Sequence, residues 1–445
     1  MTSLAKMKTS GLDWVVEVPI HWQVQQIKRA CSLVRGQFTH RPRNDPALYD
    51  GPYPFVQTGD ITAAGKYIRT YSQTLNELGL SASKQFPRGT LVMSIAANIG
   101  DVAILDFEAC FPDSMIGMIP SHKAHLDYLY YLMRAMREIM LRSAVQSTQL
   151  NLNYVRIGTN FAAFPPLPEQ HRIAAYLDAS CAAIDAAVSA KRHQLDTLDA
   201  LRKSIIQRAV TRGIASNTAL ESTGNVWLEH VPRGWKLVAL KRIAEIRGGL
   251  TLGKQYEGTL IERPYLRVGN VQDGHLDLAD VSVIELPARV AAGVELCPDD
   301  VLMTEGGDLD KLGRGHLWRG EIPGCLHQNH IFAVRCFAHK LKPMFLAYAT
   351  AAQYGRDYFE ATGKKTTNLA NTNATKVGQF PIPLPTLAEQ EAICAHLDEK
   401  TAEVNRITDT IQSQIATLTA YRKSLIHECV TGQRRVTEAD VLAAV

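Results

Sequence analysis

The sequence predicts an α+β chain in which two mixed α/β domains alternate with two long helices. The helices are expected to pair as an antiparallel coiled coil about a pseudo-two-fold axis. Three observations predict this. First, the stretch Glu169 to Arg212 contains neither Pro nor Gly. Its apolar residues fall seven apart at Leu177, Ile184, Leu198 and Ile205, with Lys191 in the vacant place. A second row lies four further on at Cys181, Val188, Leu195 and Ala209, interrupted by Arg202. Alternating four-and-three spacing marks a coiled-coil seam. At 1.5 Å per residue the helix is roughly 66 Å long, too long for one small domain. Second, adding 220 to the seam gives Leu397, Val404, Ile411, Leu418 and Leu425, all apolar. Third, the segments ahead of the helices repeat at an offset of 213.

In chain order, residues 1–163 form the first domain. It opens with Trp14, Pro19 and Trp22, which return as Trp227, Pro232 and Trp235 in the second domain, residues 215–378. These Trp are read as lids on each domain core rather than as platforms for bases. Phe55 to Ile61 and Leu266 to Val271 each read as a strand running into a Gly turn, and Gly89 to Ser94 and Asp300 to Thr304 as further strands. Leu126 to Leu141 and Pro343 to Tyr354 read as amphipathic helices. Leu150-Asn151-Leu152 and Thr367-Asn368-Leu369 then lead to the Pro-rich helix starts.

Those starts are Pro165-Pro166-Leu167-Pro168-Glu169-Gln170 and Pro381-Ile382-Pro383-Leu384-Pro385, the latter running on to Glu389-Gln390. Thr386 and Glu389 form a capping box. The first copy has only Pro168 as its start signal. Gly213 and Gly432 are the expected stops. Residues 164–214 and 379–445 are thus the two helical segments. The second domain begins where one helix ends and finishes where the other begins, so if its termini lie close together, as domain termini often do, the helices must run antiparallel.

With 445 residues, 46% of them apolar, the chain has material for about two to four cored domains. No 18-residue window is uninterruptedly apolar, so no membrane span is expected. Residues 1–10 lack a secretory apolar stretch. The eight Cys contain no Cys-x-x-Cys pair, which fits free thiols in a reducing cytoplasm. The net charge of +4 divides as +4, +2, +1 and −3 over the four segments in order. That balance permits nucleic-acid binding without demonstrating it.

Catalytic signatures are missing. Gly248-Gly249-Leu250-Thr251-Leu252-Gly253-Lys254 nearly spells a phosphate-binding loop, but Gln255 replaces the hydroxyl residue that holds Mg²⁺. The preceding Ala239 to Arg247 reads as helical, the wrong context. No Asn/Asp-Pro-Pro-Tyr motif, Gly-rich cofactor loop or nuclease-like carboxylate cluster stands out. Cys325, His327 and His330 lack a fourth ligand, so no metal site is expected. Glu305 to Gly315 reads as a recognition loop, with Lys311 and Arg314 for phosphates and Asp308 for a base edge.

The paired Trp-x4-Pro-x2-Trp openings, the paired Pro-Leu-Pro and Glu-Gln helix starts, and the tails Arg202-Lys203-Ser204-Ile205-Ile206 and Arg422-Lys423-Ser424-Leu425-Ile426 together carry a resemblance. Over essentially its whole length the chain resembles the specificity subunit of a Type I restriction-modification system. The first helix start is shorter than the second, and no Gly precedes the Leu-Asn segment near Ser147-Thr148. Those departures bear on local boundaries. The resemblance implies two target-recognition domains, each reading one half of a split double-stranded DNA site, with the helices as a ruler for the spacer. It implies a non-catalytic chain that assembles with two modification (methyltransferase) subunits and with restriction (motor-nuclease) subunits. AdoMet, ATP and Mg²⁺ would then sit on those partners, with no cofactor in this chain.

Polar residues in Gly-bounded loops are the candidate DNA contacts. In the first domain they are Arg35, Arg41, Arg43, Gln57, Thr58, Asp60 and Asn98. In the second they are Arg267, Asn270, Gln272, Asp308, Lys311, Arg314, Lys364 and Lys365. Gln and Asn can pair bidentately with adenine, and Arg with guanine, although any of these residues could simply solvate a turn. Lys191 and Arg202 are expected to be solvated or to set register. Arg172, Asp178, Arg192 and Asp199 are candidates for docking the modification subunits. Two other readings compete: a self-contained methyltransferase or nuclease, and a coiled-coil protein scaffold without sequence-specific DNA binding.

Overall fold

The structure is a computed structural model that describes residues 6–96, 98–142, 154–272, 274–307, 312–365 and 370–444. The segments around Leu150-Asn151-Leu152 and Thr367-Asn368-Leu369 lie outside the described residues. The chain divides into two compact units. Residues 1–191 and 413–445 form unit 1, and residues 192–412 form unit 2. Both divisions fall inside the long helices, Leu167–Arg212 and Leu387–Val430.

Each unit is built the same way. In unit 1 the main sheet orders its strands Cys31–Arg35, Met115–Pro120, Leu91–Ser94, Val102–Leu105 and Tyr67–Ile68. In unit 2 the order is Ala244–Gly248, Ile331–Cys336, Asp300–Thr304 and Gly315–Leu317. A smaller sheet, Gln73–Leu75, Tyr49–Phe55, Ala109–Cys110 and Gln85–Phe86, is matched by Ser282–Leu286, Ile261–Leu266 and Leu326–His327. The central strands Leu91–Ser94, Val102–Leu105 and Asp300–Thr304 are buried throughout, as strands covered on both faces must be. Burying Asp300 is possible because Arg335, opposite it on the next strand, forks both carboxylate oxygens at 2.8 Å. That hydrogen-bonded carboxylate raises the pKa of Arg335.

A strand precedes each long helix, just ahead of Pro165 in the first copy and within the Pro-rich start itself in the second. Phe161–Phe164 pairs with Gln23–Gln26, and Pro381–Leu384 with Lys236–Ala239. A Pro lacks a donor, and such short two-stranded ribbons tolerate it. Thr386 and Glu389 make the expected capping box, with Thr386 N donating to the carboxylate at 3.0 Å and Glu389 N to the hydroxyl at 3.3 Å. Both helices stop at glycines in the left-handed region, Gly213 at φ +74° and Gly432 at φ +73°.

The helices pair within each unit. In unit 1, Asp185 bridges Arg422 at 3.1 Å and Lys191 donates to Gln414 at 2.6 Å. One number rises as the other falls, so the helices are antiparallel there. Lys191 therefore bridges the seam. In unit 2, Ile206, Ala209 and Val210 from the end of the first helix share a core with Ile393, Cys394 and Leu397 from the start of the second. Leu177, Ile184, Leu397, Val404, Ile411 and Leu425 are buried, while Leu198, Ile205 and Leu418 are half-buried. By length and composition the first helix has a window apolar enough to cross a membrane, with mean hydropathy 1.3, and 33% of that window is buried in the fold. Alanines supply much of that hydropathy, which a count of uninterrupted apolar residues misses.

Four local expectations are corrected. Ala239 to Arg247 is not helical: a 3₁₀ turn, Leu240–Arg242, joins two strands, because Ala244–Gly248 is the edge of the main sheet against Ile331–Cys336. The helix expected over Leu126 to Leu141 breaks into Leu126–Ala135 and Arg137–Arg142. The one expected over Pro343 to Tyr354 ends at Ala351, and Gln353–Thr362 follows. After Phe55 and Leu266 the chain enters helical turns, Thr58–Ala63 and Val268–Asn270, rather than plain Gly turns.

The Trp lids are packed. Trp22 is buried against Gly432, and Trp235 against Gly213. A Cβ on Gly432 would collide with Pro19, whereas one on Gly213 would meet Trp235 at an ordinary 3.5 Å. Gly213→Ala should therefore cost about 1 kcal/mol from backbone strain alone. Gly432→Ala should cost about 2–4 kcal/mol because overpacking adds to that strain. Urea unfolding of the two variants measures the difference. Arg335→Ala, which strands the buried Asp300 carboxylate, should cost about 3–5 kcal/mol in the same assay.

Candidate nucleic-acid interface

In unit 1 the candidates gather in two places. Asp113 draws Arg35 and Arg43 together: Arg35 donates to its backbone oxygen at 2.8 Å, and Arg43 meets its carboxylate at 2.6 Å. Arg41 turns back onto its own loop and donates to Phe38 O and His40 O, both at 2.8 Å. The second place is the turn Thr58–Ala63. At its start Gln57 donates through Nε2 to Gln73 Oε1 at 3.0 Å. At its end Thr62 accepts from Asn98 Nδ2 at 2.8 Å and donates to Asp101 at 3.0 Å, and Arg137 bridges Asp101 at 3.1 Å. Gln57 and Asn98 thus stand at the two ends of one short helix, with Thr58 on its first turn. Asp60 accepts from the Gln57 backbone N–H at 2.7 Å, so its carboxylate holds the turn.

Unit 2 repeats the second arrangement. Asn270 Oδ1 accepts from the Arg267 N–H at 2.8 Å, and its Nδ2 donates to Asp277 O and Asp280 O at 2.8 and 2.9 Å. With 5% exposure and all these bonds made, Asn270 is a scaffold for the loop. Arg267 stands half-buried at the start of the turn and bridges the exposed Asp280 at 2.8 Å. Gln272 donates to Gly269 O at 2.6 Å. Lys364 is exposed on a small sheet, Gly306–Gly307, Ala370–Asn371 and Lys364–Lys365, that has no counterpart among the described residues of unit 1. Arg314 is half-buried, with its backbone oxygen accepting from Thr304 N at 3.2 Å. Asp308 and Lys311 lie outside the described residues.

Two sets of residues tie each domain to its long helix in roles that the sequence reading did not assign. Gln170 and Gln390 are 1% and 0% exposed. Gln170 donates to Lys123 O and Pro165 O and accepts from His125 N, while Gln390 donates to Lys340 O and Pro385 O and accepts from Lys342 N. The repeated Glu-Gln is therefore a clamp between each helix start and the loop before the preceding domain helix. Tyr131 donates to Asp178 at 2.7 Å, and Tyr348 to Asp398 at 2.5 Å. Burial first, then the carboxylate, raises both phenol pKa values. Asp178 also takes Lys66 at 2.5 Å, and Lys66 reaches Asp127 at 2.7 Å. Burial opposes the charge on Lys66, but the two carboxylates outweigh it and raise its pKa. Asp178 is thus committed to its own unit, which corrects its expected place on an outward docking face. The signal was available, since both pairs sit at matching positions of the repeat.

The near-phosphate-loop segment follows a strand, but no helix follows it. Gly249 instead packs its bare Cα on the backbone of His327 and Gln328. Among the described residues no group of three His, Cys, Asp or Glu could hold a metal ion. His327 is buried with Nδ1 on Val294 O, and His330 meets Glu305 at 2.8 Å. All eight Cys are free.

The geometry defines a class: a duplicated protein in which each loop-bearing α/β unit is clamped to a pair of long helices. Residues 19–194 match the family described as Type I restriction modification DNA specificity domain. The chain is 21% identical to the Type I restriction enzyme StySPI specificity subunit of Salmonella potsdam, covering 94% of this chain and 90% of that one. It is also 21% identical to the Type I restriction enzyme EcoKI specificity subunit of Escherichia coli strain K12, with the same coverage. A solved chain from a study of assembly and conformational transition of the type I R-M system matches with TM-score 0.70 at 17% identity, covering 94% of this chain and 99% of that one. The HsdS subunit of Thermoanaerobacter tengcongensis matches with TM-score 0.50 at 17% identity, covering 94% and 98%. Over 94% of its length the chain is thus similar to Type I restriction-modification specificity subunits, and its fold is that of the solved chains.

Gln390→Ala leaves a buried donor and acceptors unmatched and should cost roughly 2–3 kcal/mol, read by urea unfolding. Burial lowers the pKa of His316 and of His327 in unit 2. The unfolded chain then binds protons that these folded histidines refuse. Their stabilising contribution is full above the unfolded value of about 6.5 and is lost as pH falls below it. Thermal unfolding of the full chain should shift downward between pH 7.5 and pH 5.5, and His327→Gln should flatten that shift.

Proposed function

We propose that this chain is the DNA sequence-recognition subunit of a Type I restriction-modification complex. One observation carries the reading: the two units share a strand order, to which unit 1 adds one edge strand in each sheet, yet present different polar sets in matching loops. A scaffold that repeats while its loops diverge is what two readers of unlike half-sites require. Residues 1–163 and 215–378 are assigned as the two target-recognition domains, and residues 164–214 and 379–445 as the spacer that joins them.

Loop residues divide by task. Asp60 and Asn270 hold the turns in shape. Gln57, Thr58, Asn98, Arg267 and Gln272 are the residues placed to meet base edges, and Arg35, Arg43, Arg314, Lys364 and Lys365 the cations for phosphates. Asp308 and Lys311 belong to the same recognition loop. Arg41, already bonded to its own loop, shapes that loop. Double-stranded DNA is the ligand. Two modification subunits dock on the exposed helix faces, with restriction subunits joining the full complex in the cytoplasm. This chain carries no catalytic step, so AdoMet, ATP and Mg²⁺ are supplied with the partners.

Methylome sequencing of a host expressing this chain with its modification subunit, against a host lacking only this chain, tests the assignment. One bipartite motif modified on both strands should appear. Replacing residues 1–163 by the corresponding domain of another family member should change one half-site and leave the other. An assembled complex that binds AdoMet but modifies no motif would favour a coiled-coil scaffold without sequence readout.

A further inference from the structure

Two glycines occupy matching places in the two units with no internal reason to be glycine. Gly59 and Gly269 are each the second residue of the helical turn that follows the central strand of the smaller sheet. Neither has a positive φ. A Cβ on either would meet nothing within 4 Å. The other matching pair of exposed glycines, Gly11 and Gly224, is explained by φ of +71° and +66°. A glycine weakens a helical turn relative to alanine, so its presence twice in this position calls for a cause. Conformation and packing are excluded, and the remaining cause is close approach of something from outside the chain.

The neighbours say what approaches. Two residues before each glycine, at the start of each turn, stand Gln57 and Arg267. Both backbones are fixed by the equivalent cap, Asp60 Oδ2 on Gln57 N and Asn270 Oδ1 on Arg267 N. Both side chains are steered from one side: Gln57 by Gln73, and Arg267 by Asp280. Gln57 keeps Oε1 and one Nε2 hydrogen available, an acceptor beside a donor that suits N6 and N7 of adenine. Arg267 keeps donors beyond the one given to Asp280, which suits O6 and N7 of guanine.

We infer that Gly59 and Gly269 are the points where the chain backbone lies against the DNA, and that the slot beside each is a specificity position, with Gln57 reading adenine in one half-site and Arg267 reading guanine at the matching position of the other. The inference rests on the DNA-recognition reading above.

The test uses the full chain assembled with its modification subunit. Gly59→Ala and Gly269→Ala should leave Tm unchanged or raised, yet reduce methylation of the wild-type motif by about tenfold or more. Gln57→Arg should relax or convert an A to a G at one position of one half-site. Arg267→Gln should do the reverse in the other half-site alone. Wild-type methylation rates in the alanine variants, or no altered base in either exchange variant, overturn the inference while the DNA-recognition reading stands. A drop in Tm of the alanine variants also overturns it, because the glycines would then have an internal role. If the wild-type complex itself yields no motif, the DNA-recognition reading falls, and this inference with it.

Discussion

Everything in the structure depends on the antiparallel pairing of the two long helices, because neither compact unit is closed without it. Unit 1 completes its core with Leu425, Ile426, Cys429 and Val430, residues of the second helix. Unit 2 completes its own with Ile206, Ala209 and Val210 from the first. The lids depend on the same exchange: Trp22 covers Gly432, and Trp235 covers Gly213. Each helix therefore starts on one unit and ends in the core of the other. Each of the buried Leu, Ile and Val side chains among them contributes about 1.5–3 kcal/mol, so unit closure and helix pairing are one energetic event.

The clamps fix the turn before each domain helix against the start of a long helix. A buried glutamine that bonds three backbone groups tolerates little displacement, since any shift leaves a donor or acceptor unmatched in an apolar setting. Gln170 and Gln390 do this at the helix starts, and the Tyr131–Asp178 and Tyr348–Asp398 bonds repeat the restraint farther along. Variation in the recognition loops leaves these restraints untouched. The divergence between Gln57 and Arg267, held by equivalent caps, is that separation in miniature.

Much of the fold was legible in the sequence because it is written twice. The seam, the Gly stops and the Thr386–Glu389 box are local or periodic signals, and repetition removed their ambiguity. The interface was less legible. Asp60 and Asn270 look like base readers by residue type, but a capping role shows only once the turn they cap is known. Ala239 to Arg247 looked helical because its edge strand alternates weakly, and pairing with Ile331–Cys336 decides its state. Asp178 looked outward on a helical wheel, yet Lys66, 112 residues away, claims it. Partnerships over such distances leave no mark in a single chain's local pattern.

The exchange of helix ends also fixes an order of assembly during synthesis. Unit 2 is one continuous segment, residues 192–412, and unit 1 is not. Tyr128 donates to Val430 O across a sequence separation of 302 residues. As the chain leaves the ribosome, residues 6–191 emerge first but lack the strip that closes their core. The centre of the chain can close on itself before that strip exists. The part made first is thus finished last, and its apolar groove for Leu425 and Val430 stays open until the C-terminus arrives. Long-range closure of this kind is slow and exposes apolar surface meanwhile, so the nascent N-terminal half is the stage at which the protein most needs protection from its neighbours.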